Sequence, residues 1–447
     1  MSETCLHETA SVCPVCLARI PARYVEREDG VRLEKRCARH GGFSVPVWDD
    51  AASFRSWVNR TPPQPPVGAA VPESRGCPYD CGLCENHRQA TCCVLLEVTP
   101  RCDLGCPVCF ADSGAGGCDV PLETISSWYD MLLEHGGPFN IQLSGGEPTT
   151  RDDLREIVDM GRRKGFGFFQ LNTNGLRIAR DLPYLLGLAE AGLNTVFLQF
   201  DGLSPESGAA LRGRDVVREK IAAIKNCREA GLGVVLVPTV CRGVNDGELG
   251  AILDFAASQM PTVRGVHFQP ISFFGRAGGL LPATGRMTIP KLLAEMETQT
   301  GGRLKAEDFL PGGAEHALCS FHASYTVKDG AWTLQKAAAS TCCCGATSDA
   351  ARKKVASQWS APAESGGSDC RGCFDGCELD ALDAFLNQRR YETLAISGMA
   401  FQDVWTIDLE RLCRCYIHVV SPEGTLIPFC AYNLTAEDGA ALYRKRG

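Results

Sequence analysis

The densest chemistry in the chain sits in Thr99-Pro100-Arg101-Cys102-Asp103-Leu104-Gly105-Cys106-Pro107-Val108-Cys109-Phe110-Ala111. Cys102, Cys106 and Cys109 stand at x3 and x2 spacing, so one tight loop carries three thiolates. Such a loop can hold three corners of a [4Fe–4S] cube. Most cubane sites use four Cys, so a three-Cys loop leaves one iron open to a chelating ligand. By spacing alone, a zinc knuckle or a ferredoxin-type electron carrier fits the same residues. Ser144-Gly145-Gly146-Glu147-Pro148 separates the readings. Its two glycines let backbone approach a ligand closely. Glu147 offers a carboxylate that can accept from an ammonium group, for which an electron carrier has no use.

These residues need a scaffold. Short apolar runs at Val94–Val98, Phe139–Leu143, Phe166–Leu171, Thr195–Phe200, Gly233–Val237 and Gly265–Gln269 predict buried strands. The amphipathic stretches Leu122–Glu134, Asp152–Lys164, Val216–Ala230 and Gly247–Gln259 predict helices between them. Strands alternating with helices imply βα units and a parallel sheet, open or barrel-like. Active sites on such sheets lie at the strands' C-terminal ends, and the polar motifs fall there. The Cys loop follows the first strand and Ser144–Pro148 ends the second. Leu171-Asn172-Thr173-Asn174-Gly175 closes the third, and Gln199-Phe200-Asp201-Gly202 closes the fourth. Pro238–Asp246, with Thr239, follows the fifth. His267, at the end of the sixth, reads either as a proton donor or as a satisfied structural residue. Cys227, inside a predicted helix, reads as a small buried hydrophobe.

Further Cys groups flank this core. The head holds Cys13-Pro14-Val15-Cys16 and Cys37-Ala38-Arg39-His40, the pattern of a closed Cys3His knuckle for zinc or mononuclear iron; Cys5 is an alternative to His40, and His7 reads as a solvated terminal residue. Cys77, Cys81 and Cys84 repeat the x3, x2 spacing and predict an auxiliary [4Fe–4S] site. Its fourth ligand is Cys92, Cys93 or a Cys of the tail, and a second zinc knuckle is the alternative. The tail run Cys370, Cys373 and Cys377, with Cys413, Cys415 and Cys430, predicts a second auxiliary cluster. Cys319 with His322 is a weaker metal candidate. Cys342-Cys343-Cys344 reads as one cluster ligand with two spectators, or as a redox or sulfur-handling site. The expected organisation is a head over 1–60, a Pro-rich linker with the auxiliary Cys cluster over 61–91, a core over 92–300 and a Cys-rich region over 301–447. Residues 300–365 look irregular. The tail shows one helical stretch, Leu379–Gln388, and two short strands around 415–430.

Composition bounds the reading. Over 447 residues, 45 Lys and Arg against 53 Asp and Glu leave a net charge of −8, which argues against a nucleic-acid-binding surface. Hydrophobic residues at 45% fit an ordinary globular chain. No apolar run reaches the ~20 residues that span a bilayer. The start, Met1-Ser2-Glu3-Thr4-Cys5, has no basic flank or apolar segment of a secretory signal. With 25 Cys and only 8 His, the ligand set is mainly thiolate. That pattern suits metal binding in a reducing, cytoplasmic setting. No 20–50-residue repeat is visible, so a solenoid is not expected.

The Cys102–Cys109 loop with Ser144–Pro148 closely resembles the radical SAM superfamily. The resemblance implies a partial (β/α)6 TIM-like barrel. It further implies a [4Fe–4S] cluster on Cys102, Cys106 and Cys109, whose fourth iron chelates S-adenosylmethionine (SAM). Ser144, Gly145, Gly146, Glu147 and Pro148 would contact the methionine moiety. Thr173, Asn174, Gln199, Asp201 and Thr239 would contact ribose, carboxylate or adenine, or else cap strands and helices. Electron transfer from the cluster would give a 5′-deoxyadenosyl radical that takes hydrogen from an unactivated C–H. The cofactors would supply the hard chemistry and the protein position and exclusion of water. The head motif, the Gly76–Cys84 block, Arg414-Cys415-Tyr416-Ile417-His418 and Ile427-Pro428-Phe429-Cys430-Ala431-Tyr432-Asn433 are similar to one subgroup. It comprises the archaeal tetraether lipid synthases and the hydroxymethyl-dihydropterin dimethyltransferases. The chain departs from them at 342–344 and 370–377, and its triple Cys342–Cys344 is weakly similar to the radical SAM (seleno)protein family TrsS. The implied activity is anaerobic C–C bond formation or methylation on a small-molecule or lipid substrate, with flavodoxin or ferredoxin as reductant. The alternatives are sulfur or selenium handling at Cys342–Cys344, or a multi-cluster electron-transfer protein.

Overall fold

The computed structural model describes residues 4–57, 64–66, 71–277, 279–280, 285–335, 348–361 and 391–444. The head is a four-stranded antiparallel sheet in chain order: β1 (Thr4–Val12), β2 (Arg19–Arg27), β3 (Gly30–Cys37) and β4 (Gly41–Trp48). On β2 and β3 the side chains alternate. Ala22, Tyr24, Val31 and Leu33 enter the core, while charged residues between them face water.

The core sheet contains the six expected strands, side by side and parallel: β5 (Cys93–Thr99), β6 (Asn140–Gly145), β7 (Phe169–Thr173), β8 (Thr195–Gln199), β9 (Gly233–Val237) and β10 (Val263–Pro270). One face packs under helices. Val94, Leu96 and Val98, Ile141 and Leu143, Phe169 and Leu171, Val196 and Leu198, and Val234 and Leu236 all enter the main core. The helix Leu122–Glu134 meets them with Ile125, Trp128, Tyr129 and Leu132, spaced to form one helical stripe. Gly161 of the helix Leu154–Arg163 lets that layer close, because a Cβ there would lie 2.5 Å from the Phe169 ring. The other face carries Gln142, Gln170, Asn172, Gln199, His267 and Gln269. Parallel strands buried on both faces are normally apolar throughout, so this polar face looks onto a lumen.

The tail builds onto both edges of the core. β13 (Thr393–Met399) lies parallel to β10, and β14 (Ile417–Val420) lies parallel to β5. Beyond β13 comes the hairpin of β11 (Ser320–Lys328) and β12 (Ala331–Leu334), and beyond β14 comes β15 (Leu426–Pro428), all antiparallel. The architecture is α/β, a partial barrel with both edges extended. Residues 300–365 were expected to be irregular, yet Phe321, Ala323 and Tyr325 alternate into the core as in any half-buried strand. The helix Ser348–Trp359 crosses the strands' N-terminal ends. Its Arg352 carbonyl accepts from Asn140 Nδ2 at 3.1 Å, and the Trp359 carbonyl lies against Gly233. The third strand begins at Phe169 instead of Phe166. Helices at Leu182–Ala191, Pro205–Arg212 and Ile289–Gln299 add to those expected. The expected helix Leu379–Gln388 lies outside the described residues.

Candidate active site

The Cys loop leaves the C-terminal end of β5 and is tied down at several points. Cys102 N donates to the Gly114 carbonyl at 2.7 Å. Arg276 reaches across, with Nε on the Cys106 carbonyl at 2.7 Å, Nη1 on Asp112 at 2.8 Å and Nη2 on the Ser113 carbonyl at 3.0 Å. All three thiols are half-buried. Burial pushes the Cys102 thiol up to about 12, helped by the charges of Glu147 and Cys106. Burial also raises Cys106, against the Arg212 guanidinium, which donates to its sulfur. Thiols this crowded and desolvated do not ionise together unless a cation compensates them, and an iron–sulfur core supplies that charge. The donor set therefore fits the cluster that the sequence implies.

The two glycines at the end of β6 serve a different neighbour from the one expected. A Cβ on Gly145 would sit 2.2 Å from the Thr99 carbonyl oxygen, and one on Gly146 would sit 2.2 Å from that of Arg101. Gly145 also has φ +124°, a conformation that glycine tolerates. The strand end thus runs against the root of the Cys loop and bonds to it, Gly146 N to Thr99 O and Glu147 N to Arg101 O, each at 2.7 Å. Ser144 and Pro148, on either side, are buried. Glu147 is buried as well. Its Oε1 accepts from Thr149 N at 3.0 Å, Thr149 Oγ1 at 2.7 Å and Thr173 Oγ1 at 2.7 Å, and its Oε2 accepts from Asn174 N at 2.6 Å. Burial raises its pKa, and those donors oppose the rise. Asn174 Nδ2 in turn donates to Asp103 of the Cys loop at 2.7 Å.

Asp201 and Thr239 are brought together by a residue absent from the expected set. Arg212 donates from Nε and Nη2 to the two oxygens of Asp201 at 2.7 and 2.8 Å, and from Nη2 to Thr239 Oγ1 at 2.9 Å. Its Nη1 holds the Val108 carbonyl, inside the Cys loop, at 3.1 Å. Thr239 N adds a further bond to Asp201 at 3.0 Å. Lys220, also unforeseen, is buried with its Nζ on the Asn174 carbonyl and, at 3.1 Å, on Gln199 Oε1. Burial pulls its pKa down to about 8. Lys220 shares a helix stripe with Ala223, Ile224 and Cys227. A lysine in an apolar register was the available signal. Cys227 is a buried hydrophobe, as expected.

The remaining thiols form separate groups. Cys77 and Cys413 share a thiol–thiol hydrogen bond, the largest influence on both. It lowers Cys77 and raises Cys413, and contact with Cys81, burial, and the charges of Cys81 and Cys84 lift Cys77 overall. The structure thus brings Cys413, and not Cys92, to the Cys77, Cys81 and Cys84 group. Cys92 is buried elsewhere, beside Glu315 and Arg352. A second group joins Cys319, Cys415 and Cys430, whose charges act on one another in the interior. Arg411 Nη2 points at Cys319 Sγ at 3.5 Å. Between the groups, His87 Nε2 donates to the Cys415 carbonyl at 2.8 Å and lies 3.3 Å from His418 Nε2. Cys370, Cys373, Cys377 and Cys342–Cys344 lie outside the described residues.

In the head, Cys13, Cys16, Cys37 and His40 place their ligand atoms all within 4.8 Å of one another, a spread that suits one tetrahedral ion. His40 turns Nδ1 to the group, 3.4 Å from Cys13 and 3.5 Å from Cys37. Cys5 is exposed on β1. His7 is exposed, as expected, and also pairs with the exposed Glu410 at 2.9 Å. Among the described residues, no helix is long and apolar enough to cross a membrane.

Two family profiles match the chain: the radical SAM superfamily over residues 96–256, and the HMPTM N-terminal zinc ribbon domain over residues 5–49. The 7,8-dihydro-6-hydroxymethylpterin dimethyltransferase of Methanocaldococcus jannaschii is 33% identical over 472 residues, covering 95% of this chain and 93% of that protein. A probable GTP 3',8-cyclase of Methanothermobacter marburgensis is 34% identical over 39% of this chain and 57% of its own length. Among solved structures, Streptococcus suis SuiB bound to S-adenosylmethionine aligns over 47% of each chain, with a TM-score of 0.38 and 17% identity.

Proposed function

The chain belongs to the radical SAM superfamily, and on that premise we propose that it forms a carbon–carbon bond, by methylation, at a C–H position of a reduced pterin, one SAM leaving with the hydrogen as 5′-deoxyadenosine and a second giving its methyl group and leaving as S-adenosylhomocysteine, with the reductant supplying the electrons. It is an enzyme of SAM-dependent radical chemistry, and the proposal adds substrate and outcome. One observation carries it: the similarity to the Methanocaldococcus jannaschii dimethyltransferase runs through nearly the whole of both chains, head and tail included. The polar lumen face, with Gln142 and Asn172 partly exposed, supports a heterocycle over a lipid tail, since hydrocarbon would cover polar groups without bonding to them.

When bound, SAM and the cluster would supply radical chemistry at a C–H bond. In this reading Cys102, Cys106 and Cys109 hold the cluster, and Arg212 stabilises the Cys106 thiolate. Asp201 and Thr239 position Arg212 and need not touch SAM. Glu147, fixed by Thr149, Thr173 and Asn174, keeps a charged oxygen for the methionine ammonium. Lys220 holds Gln199 and the Asn174 carbonyl at the site's edge. Cys77, Cys81, Cys84 and Cys413 hold one auxiliary cluster, and Cys319, Cys415 and Cys430 belong to a second. The head holds zinc or iron. A flavodoxin or ferredoxin in the cytoplasm supplies electrons.

The test is product analysis. Loaded enzyme, SAM and reductant are incubated anaerobically with 7,8-dihydro-6-hydroxymethylpterin, and the pterins are analysed by mass spectrometry. A pterin heavier by one or two methyl groups supports the proposal. SAM consumption with every pterin unchanged contradicts it.

A further inference from the structure

The lumen face of the sheet carries side chains that the SAM site does not use. Gln142, Gln170 and Asn172 form a relay across β6 and β7. Gln170 Nε2 donates to Asn172 Oδ1 at 2.6 Å, Asn172 Nδ2 donates to Gln142 Oε1 at 3.3 Å, and Gln142 Nε2 reaches Cys93 Sγ at 3.4 Å. Asn172 stands directly beside Phe197 of β8. The Phe197 ring packs 4.8 Å from Trp359 and 5.6 Å from His267. With Val235, Val237 and Trp359 it makes an apolar cluster separate from the main core.

Several features mark this wall as a ligand surface. Gln142, Asn172 and His267 keep partial exposure, whereas the adjacent Ile141, Leu143, Leu171, Val266 and Phe268 on the helix side are fully buried. The amides are therefore only partly covered on the lumen side. The relay is also incomplete, because Gln170 is fully buried and its Oε1 has no hydrogen-bond partner. A buried orphan costs about 1–3 kcal/mol, so this row is not arranged for stability alone. Each relay amide can make more bonds than it does. Gln142 and Asn172 thus hold spare donors and acceptors in fixed orientation. The helix Ser348–Trp359 closes the N-terminal side. Asn172 is followed directly by Thr173, which bonds to Glu147, so the wall lies just below the proposed SAM site.

We infer that this wall selects the substrate: Phe197, backed by Trp359 and His267, takes the flat face of a nitrogen heterocycle, and Gln142 with Asn172 reads its pyrimidinone-type edge. Ring N–H, C=O and exocyclic NH2 groups in a row match carboxamides, and a flat π-face matches the aromatic wall. The inference rests on the reading above and adds the residues that recognise the ring.

Enzyme with its clusters loaded and SAM bound is titrated anaerobically with 6-hydroxymethylpterin, followed by the ligand's own fluorescence. Asn172→Leu and Gln142→Met keep volume and lose the polar edge, and each is expected to weaken binding about tenfold to a hundredfold. Phe197→Leu weakens it too, and Phe197→Tyr keeps it. Iron content and melting temperature matched to the parent exclude misfolding. If the parent binds and every variant binds equally well, the wall is wrong and the substrate reading stands. If the parent does not bind the pterin at all, both are overturned.

Discussion

Cys413 shares a hydrogen bond with Cys77, so the far end of the chain completes a Cys group that begins before the barrel. Under the proposed auxiliary cluster, tail and linker supply its ligands together. Cys413→Ala is expected to lower bound iron by about four atoms per chain, measured by iron assay and Mössbauer spectroscopy. Cys92→Ala is expected to keep the iron.

Arg212 and Asp201 form a buried, doubly bonded ion pair at the Cys loop. Removing one partner of such a pair leaves a buried charge and costs about 3–5 kcal/mol. Asp201→Ala should therefore lower the melting temperature and also broaden the electron paramagnetic signal of the reduced cluster. Asp201→Asn should recover part of both.

Gly146 lies where a Cβ would meet the Arg101 carbonyl. Gly146→Ala must shift the root of the Cys loop, at about 1–3 kcal/mol for forced overpacking. The expected result is lower cluster incorporation with the head metal unchanged, read by iron and zinc analysis of one sample.

Glu147 accepts from Thr149, Thr173 and Asn174 while carrying the charge proposed for the methionine ammonium. Glu147→Gln removes that charge and sets an NH2 group against donors. SAM binding should weaken about tenfold to a hundredfold, measured by equilibrium dialysis.

Burial holds His267 and His322 neutral, each pushed down to about 4 from 6.5. Between those values the unfolded chain binds more protons at these histidines than the folded one, so their contribution to stability falls as pH falls through that window and is level above it. Melting temperatures should show an added decline below about pH 6.5. His267→Gln should make the decline shallower.

Much of the site was legible because its parts are contiguous. Cys102, Cys106 and Cys109 share one loop, and Ser144–Pro148 is a single strand end. The six strands announced themselves by apolar runs that the helices cover. Other parts depend on pairing across the fold, which local spacing does not carry. Arg212 is an ordinary arginine until the fold sets it between Asp201 and Cys106. The reason for Gly145 and Gly146 lies in the backbone of another strand. The hairpin over Ser320–Leu334 was missed despite the alternation of Phe321, Ala323 and Tyr325, because Gly- and Ala-rich composition around it suggested irregular chain.

The central claim is radical cleavage of SAM at the Cys102–Cys109 loop. Loaded wild-type enzyme and Cys106→Ala are given SAM, dithionite and the dihydropterin without oxygen, and 5′-deoxyadenosine and S-adenosylhomocysteine are quantified. The account predicts 5′-deoxyadenosine from the wild type alone, with S-adenosylhomocysteine beside it from the SAM that donates the methyl group. Equal 5′-deoxyadenosine from Cys106→Ala, or none from fully iron-loaded wild type, would contradict it.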